Sequence, residues 1–86
     1  MALLMAHQLR AARSMLRWEQ EQLASAASVA IGTVRRIEAM DGAIRAHLDT
    51  VQKLQRAFEM AGVEFKPDGA VRLRDGEAAM AGVQPS

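Results

Sequence analysis

Two adjacent arginines, Arg35 and Arg36, are the residues of this sequence best suited to recognition chemistry. In a helix that advances about 100° per residue, both point away from the apolar pair Val34 and Ile37, and Gly32 lies on the same outward side. A guanidinium group presents its donors in a fixed fork that fits a guanine edge or a phosphate. An exposed helix face of this kind suits the major groove of double-stranded DNA.

The helix that carries these arginines needs a partner helix, and residues 20–37 contain one. Ala24 is small enough for two helices to approach closely, while Leu23, Ala27 and Val29 fill the angle between them. The same spacing also fits a pair of amphipathic helices that binds nothing. The pattern alone leaves both interpretations open.

Two charged residues stand where apolar residues are expected. The first helix has an apolar stripe formed by Leu9, Ala12 and Leu16, and Arg13 lies within it. Glu38 lies beside Val34 and Ile37 on the third helix. Because a lone buried charge is costly, we predict a salt bridge between Arg13 and Glu38 that joins the two helices. The alternative is that both side chains extend along the surface to reach water.

The charge is unevenly divided along the chain. Residues 1–45 contain six arginines and four acidic residues, whereas residues 46–86 contain five basic and six acidic residues. The excess of two positive charges therefore lies in the half with the proposed binding helices. An excess this small supports nucleic-acid binding without establishing it.

The sequence contains little that suggests enzyme chemistry. His7 and His47 have no neighbouring metal ligands at a suitable spacing, and there is no cysteine for a disulfide or a thiolate site. We find neither a phosphate-binding glycine loop nor a nucleophile motif. We therefore expect no enzyme activity, no metal and no cofactor.

Apolar spacing predicts four or five helices, then a hairpin and a tail. The first three helices carry the apolar residues already described, and Gly42 gives the backbone the freedom to leave the third helix. Another helix runs over residues 48–61 and stops at Gly62. Alternation at Val63, Phe65, Val71 and Leu73 around a Pro-Asp-Gly turn predicts a β-hairpin. Residues 75–86 are expected to form a flexible tail.

These elements predict a mainly α chain, a compact four- to five-helix bundle followed by a short C-terminal β-hairpin. Residues 1–62 form the expected binding domain, and residues 63–74 form the hairpin. The apolar start of the chain lacks the features of a signal peptide or a membrane span, so we expect a cytoplasmic protein.

Residues 9–63 resemble the Cro and phage-repressor type of helix-turn-helix, often called XRE-like. The stretches that carry the resemblance are Leu9-Arg10-Ala11-Ala12-Arg13, Trp18-Glu19-Gln20-Glu21-Gln22-Leu23-Ala24 and Thr33-Val34-Arg35-Arg36-Ile37-Glu38. The resemblance implies a compact helical bundle that binds DNA, with the inward ion pair of Arg13 and Glu38. It does not explain the hairpin.

The resemblance also implies roles for individual residues. Gln20 is expected to touch the DNA backbone, while Ile31, Gly32 and Arg36 occupy base-contacting positions. In addition, Arg35 lies close to the bases, Thr33 lies near the backbone, and Arg45 in the following loop is a candidate phosphate contact.

Three departures from the family pattern weaken the motif. Ser28 replaces the usual glycine of the turn, which implies a strained left-handed backbone there. Ala30 replaces the usual Ser or Thr cap of the recognition helix, and Glu19 replaces a small cap on the helix before it. Apart from these three departures, Gly32 at a base-contacting position offers no side chain to a base.

Together these features predict a homodimeric transcription regulator, a repressor that binds a two-fold symmetric DNA site. The hairpin residues Val63, Phe65, Val71 and Leu73 are the expected dimer surface, because a lone hairpin has little core of its own. The alternatives are an antitoxin that binds a toxin and its own operator, and a protein-interaction adaptor that does not bind DNA.

Overall fold

The computed structural model describes residues 3–74, which form four helices followed by an antiparallel hairpin. The mainly helical class with a C-terminal hairpin is confirmed, whereas a fifth helix is not present in this part of the chain. The expected tail, residues 75–86, lies outside the described residues. The elements are α1 Ala6–Leu16, α2 Gln20–Ala27, α3 Ile31–Glu38, α4 Leu48–Met60, β1 Val63–Phe65 and β2 Val71–Leu73.

One apolar core joins all four helices to the hairpin. Phe58 of α4 is fully buried at its centre, where Trp18 stacks on its ring at a centroid distance of 6.0 Å. Phe65 of β1 meets the same ring edge-on at 5.9 Å. The largest fully buried aliphatic side chains are Leu3, Leu9, Leu23, Val34, Ile37, Leu54 and Val63.

The hairpin and its turn are present where the sequence predicts them. Val63 pairs with Leu73 and Phe65 with Val71, and the Asp68 carboxylate accepts a hydrogen bond from the Ala70 N–H at 3.0 Å. Gly69 has a φ of +93°, which few other residues tolerate.

The predicted dimer surface on this hairpin is wrong for two of its four residues. Val63 is 0% exposed and Phe65 is 5% exposed, so neither side chain is available to a second copy of the chain. Val71 and Leu73 are partly buried against the same core. The hairpin covers the helices of its own chain, because its apolar face meets theirs, and it shares one core with residues 3–62.

The segment before α1 pairs with the loop between α3 and α4, which the sequence did not predict. Met5 and Ala43 form an antiparallel bridge, the Ala6 N–H donates to the Gly42 carbonyl, and the Ile44 N–H donates to the Leu4 carbonyl, each at 2.8 Å. Gly42 does not end α3, because that helix already ends at Glu38. Its φ of +76° instead shapes the loop that receives the N-terminal segment.

The longest helix of the described chain, α4, has 13 residues. Spanning a membrane takes roughly 20 apolar residues, and no helix among residues 3–74 is long and apolar enough to do so.

Candidate nucleic-acid interface

Helices α2 and α3 form the tight pair that the sequence predicts. Ala24 and Ala27 of α2 are buried, as are Val34 and Ile37 of α3. The turn between the helices is held by a hydrogen bond from the Val29 N–H to the Ala24 carbonyl at 3.0 Å. Burial of these small and aliphatic side chains fixes which face of α3 is turned to the outside.

The outward face of α3 carries the residues expected to read DNA. Arg35, Arg36 and Gly32 are exposed, and Thr33 is partly exposed. A Cβ added at Gly32 would meet nothing within 4 Å, so close packing inside this chain does not require glycine there. Ile31 is partly buried and packs against the core, which leaves only part of its side chain for a thymine methyl group.

The predicted salt bridge between Arg13 and Glu38 is present and has two parallel hydrogen bonds. Arg13 Nε donates to Glu38 Oε2 at 2.6 Å, and Arg13 Nη2 donates to Glu38 Oε1 at 3.1 Å. The Glu38 side chain is only 8% exposed. This hydrogen bonding with Glu38 raises the pKa of Arg13 and outweighs its partial desolvation.

Three further contacts extend this pair into a network. Arg13 Nη1 donates to the Trp18 carbonyl at 2.8 Å, which fixes the turn between α1 and α2. Arg10 Nη1 donates to the Glu38 carbonyl at 2.6 Å, where it satisfies an open carbonyl at the end of α3. Gln20 Nε2 donates to Glu38 Oε1 at 3.0 Å. Sequence reasoning missed the role of Arg10, although its position three residues before Arg13 places it on the same side of α1.

Gln20 and Arg45 lie on either side of α3 in the sequence, at the start of α2 and in the loop after α3. The Gln20 amide uses one of its two hydrogens on Glu38 and keeps the other for an external acceptor. Arg45 is exposed, and its backbone N–H donates to Met40 Sδ at 3.3 Å. The pairing of residues 4–6 with residues 42–44 restrains the loop that carries Arg45.

The structure agrees with two of the departures that the sequence shows, the left-handed backbone at Ser28 and the missing side-chain cap at Ala30. Ser28 ends α2 in the left-handed region with a φ of 58°, where its N–H donates to the Ser25 carbonyl at 3.3 Å. Ala30 precedes α3 and provides no side-chain cap for its first N–H groups. Each residue therefore forgoes a stabilisation that glycine or serine would supply.

Ser28→Gly is expected to stabilise the chain by about 1 kcal/mol, because glycine adopts the left-handed backbone without a Cβ clash. Ser25→Gly is the matched control: Ser25 is exposed within α2, where glycine should destabilise by roughly 0.5–1 kcal/mol. The free energy of unfolding from urea titration distinguishes the two. Equal destabilisation by both variants would contradict the assignment of strain to Ser28.

Residues 3–74 contain no group of three or more His, Cys, Asp or Glu side chains placed to hold a metal ion. His7 is exposed on α1, and His47 immediately precedes α4. Comparison of the chain with protein-family models, with curated proteins and with solved structures found no match in any of the three.

Proposed function

We propose that this chain is a transcription regulator that binds double-stranded DNA through α3 and acts as a repressor at the bacterial nucleoid. The observation that carries the proposal is the outward face of α3, where two arginines are exposed on a helix whose opposite face is fully buried. None of the hydrogen bonds and ion pairs within residues 3–74 uses the guanidinium of Arg35 or Arg36. Both groups are free to bind an external acceptor.

Each residue of this surface has a distinct role in the proposal. Arg36 binds the O6 and N7 atoms of a guanine, and Arg35 contacts the DNA next to that guanine. Gln20 and Arg45 bind phosphates on either side of the groove, which set the register of α3 without reading sequence. Gly32 lets the helix approach the groove closely, since a side chain there has nothing to pack against in this chain.

The active form in this proposal is a homodimer on a two-fold symmetric site. A helix of eight residues makes few base contacts, so one copy binds weakly and a second copy one helical turn away supplies the missing affinity. Val63 and Phe65 do not form the dimer contact, because both are buried within their own chain.

Arg36→Ala is expected to weaken binding to the DNA upstream of the coding region by roughly 1–3 kcal/mol and to relax preference at one base pair. Binding is measured by fluorescence titration at two salt concentrations. Arg72→Ala is the matched control, because it removes the same charge from the hairpin. The proposal fails if the wild-type chain binds no DNA, or if the two variants weaken binding equally.

A protein-interaction module, such as an antitoxin that grips a toxin, is the second candidate. It is favoured by two exposed apolar side chains, Leu4 at 58% and Leu48 at 70%, which line one groove of about 430 Å³. An adaptor without DNA binding predicts no salt-dependent affinity for DNA and no effect of Arg36→Ala. The titration above therefore separates the adaptor from a DNA-binding regulator.

A further inference from the structure

Arg17 has a backbone conformation that its side chain does not favour. It follows α1 with a φ of 58° and a ψ of 34°, in the left-handed region. Among residues 3–74, Ser28 is the one other non-glycine residue with a positive φ. Residues that keep such a conformation despite its cost are concentrated at functional sites.

The turn around Arg17 is fixed by contacts that do not involve its side chain. The Arg17 N–H donates to the Ser14 carbonyl and the Trp18 N–H to the Arg13 carbonyl, each at 3.0 Å. Arg13 Nη1 holds the Trp18 carbonyl, and the Trp18 ring stacks on Phe58. Since every one of these contacts would persist with glycine at position 17, the fold does not explain the arginine there.

The Arg17 guanidinium, unlike those of the two arginines before it in the sequence, has no partner among residues 3–74. Arg10 and Arg13 lie three residues apart on one side of α1, and Arg17 directly follows the last residue of that helix. Arg10 and Arg13 both bind Glu38, whereas Arg17 is exposed and its guanidinium takes part in no hydrogen bond or ion pair within residues 3–74. Gln20, the proposed phosphate contact, lies three residues further along the chain.

The acidic residues around this turn suggest a role for the Arg17 guanidinium. Glu19 and Glu21 are exposed at the start of α2, on either side of Gln20. A DNA phosphate that approaches Gln20 is repelled by both carboxylates, and a cation close to them offsets that repulsion. Arg13 already lies close enough to Glu19 for its positive charge to interact with that carboxylate. Arg17 lies two residues before Glu19 in the sequence and adds a second positive charge to the same turn.

We propose that Arg17 binds a phosphate of the DNA backbone beside the phosphate bound by Gln20. The proposal rests on the DNA-binding function proposed above and adds a contact on α1 to the contacts of α2 and α3. The contact contributes affinity at every DNA sequence and no base preference, because phosphates are common to all sequences. In this proposal Arg17 lowers the stability of the folded chain through its left-handed backbone and raises the affinity of the chain for DNA.

The test is Arg17→Gly, which is expected to shift stability and binding in opposite directions. The thermal midpoint should rise by about 4–8 °C, because glycine relieves the left-handed strain. Affinity should fall roughly three- to tenfold on specific and unrelated DNA alike, and the slope of log K against log salt should shrink by about 1. Arg17→Lys keeps the charge and should retain most of the affinity.

Ser28→Gly is the matched control, because it relieves the same backbone strain without removing a charge. It should raise the thermal midpoint and leave DNA affinity unchanged.

If Arg17→Gly binds DNA as tightly as the wild type while Arg36→Ala binds more weakly, the Arg17 proposal is overturned and the proposed function stands. Loss of affinity at a single DNA sequence would also overturn it, since that result indicates a base contact. If the wild-type chain binds no DNA at either salt concentration, both proposals fail.

Discussion

Glu38→Gln is expected to lower the free energy of unfolding by about 2–4 kcal/mol. The substitution leaves the size of the side chain unchanged but removes the charge that faces Arg13, so a guanidinium that is 24% exposed loses its counter-ion. Breaking one partner of a buried pair typically costs about 3–5 kcal/mol, and the partial exposure of Arg13 lowers that figure. Urea denaturation at neutral pH measures the change.

Two comparisons make this result specific to the buried pair. Glu64→Gln removes a carboxylate whose contacts with Lys66 and Arg72 are longer, 3.6 and 3.5 Å, and whose side chain is 33% exposed, so its effect should stay below about 1 kcal/mol. Replacing both Arg13 and Glu38 by methionine should destabilise less than the sum of the single replacements, because neither charge is left alone. Additive effects would show that the two side chains do not stabilise the fold as a pair.

The network also links stability to the proposed DNA contact. Glu38 Oε1 accepts from both Arg13 and Gln20, so the carboxylate that joins α1 to α3 also orients the amide proposed to bind a phosphate. An amide at position 38 presents a donor on one side and disturbs one of these bonds. A second consequence of Glu38→Gln is therefore weaker DNA binding at temperatures where the variant is still folded.

Sequence reasoning succeeded where a contact follows from a local pattern. Apolar spacing predicted the four helices and the alternation of the hairpin strands, and the Pro-Asp-Gly sequence predicted the turn between those strands. The partnership of Arg13 and Glu38 was predictable because each charge interrupts an apolar stripe, which is costly without a partner. The outward face of α3 followed from the burial of Val34 and Ile37 on the opposite side.

Sequence reasoning failed where a contact depends on how segments distant in the sequence pack together. Alternation in the hairpin shows that one face is apolar, but not whether that face covers its own helices or another chain. The bridge between Met5 and Ala43 joins segments without periodic spacing, so nothing in the sequence predicted it. The left-handed backbone at Arg17 was also missed, because arginine is not a residue that signals this conformation.

Gln8 is the clearest case of a residue whose importance only the fold reveals. It is 2% exposed, and its Oε1 accepts hydrogen bonds from the Leu4 and Met5 N–H groups, both at 2.8 Å. Its Nε2 donates to the Gly69 carbonyl at 3.0 Å, 61 residues away in the hairpin turn. One side chain thus ties the N-terminal segment, α1 and the hairpin together.

Gln8→Met is expected to destabilise the chain by about 2–4 kcal/mol, because it keeps the length of the side chain but leaves three backbone groups without this partner. Gln22→Met is a closely matched control. Both glutamines occupy the third position of a helix and accept a hydrogen bond from the N–H of the residue before that helix, but Gln22 is exposed, so water replaces its bond to the Glu19 N–H. Its substitution should cost less than about 1 kcal/mol.

Hydrogen exchange provides a second readout, since loss of the tie to Gly69 should increase exchange in the hairpin in Gln8→Met alone. Equal effects of the two substitutions on stability and exchange would mean that Gln8 acts only as a helix cap, and that apolar packing alone holds the hairpin on α1.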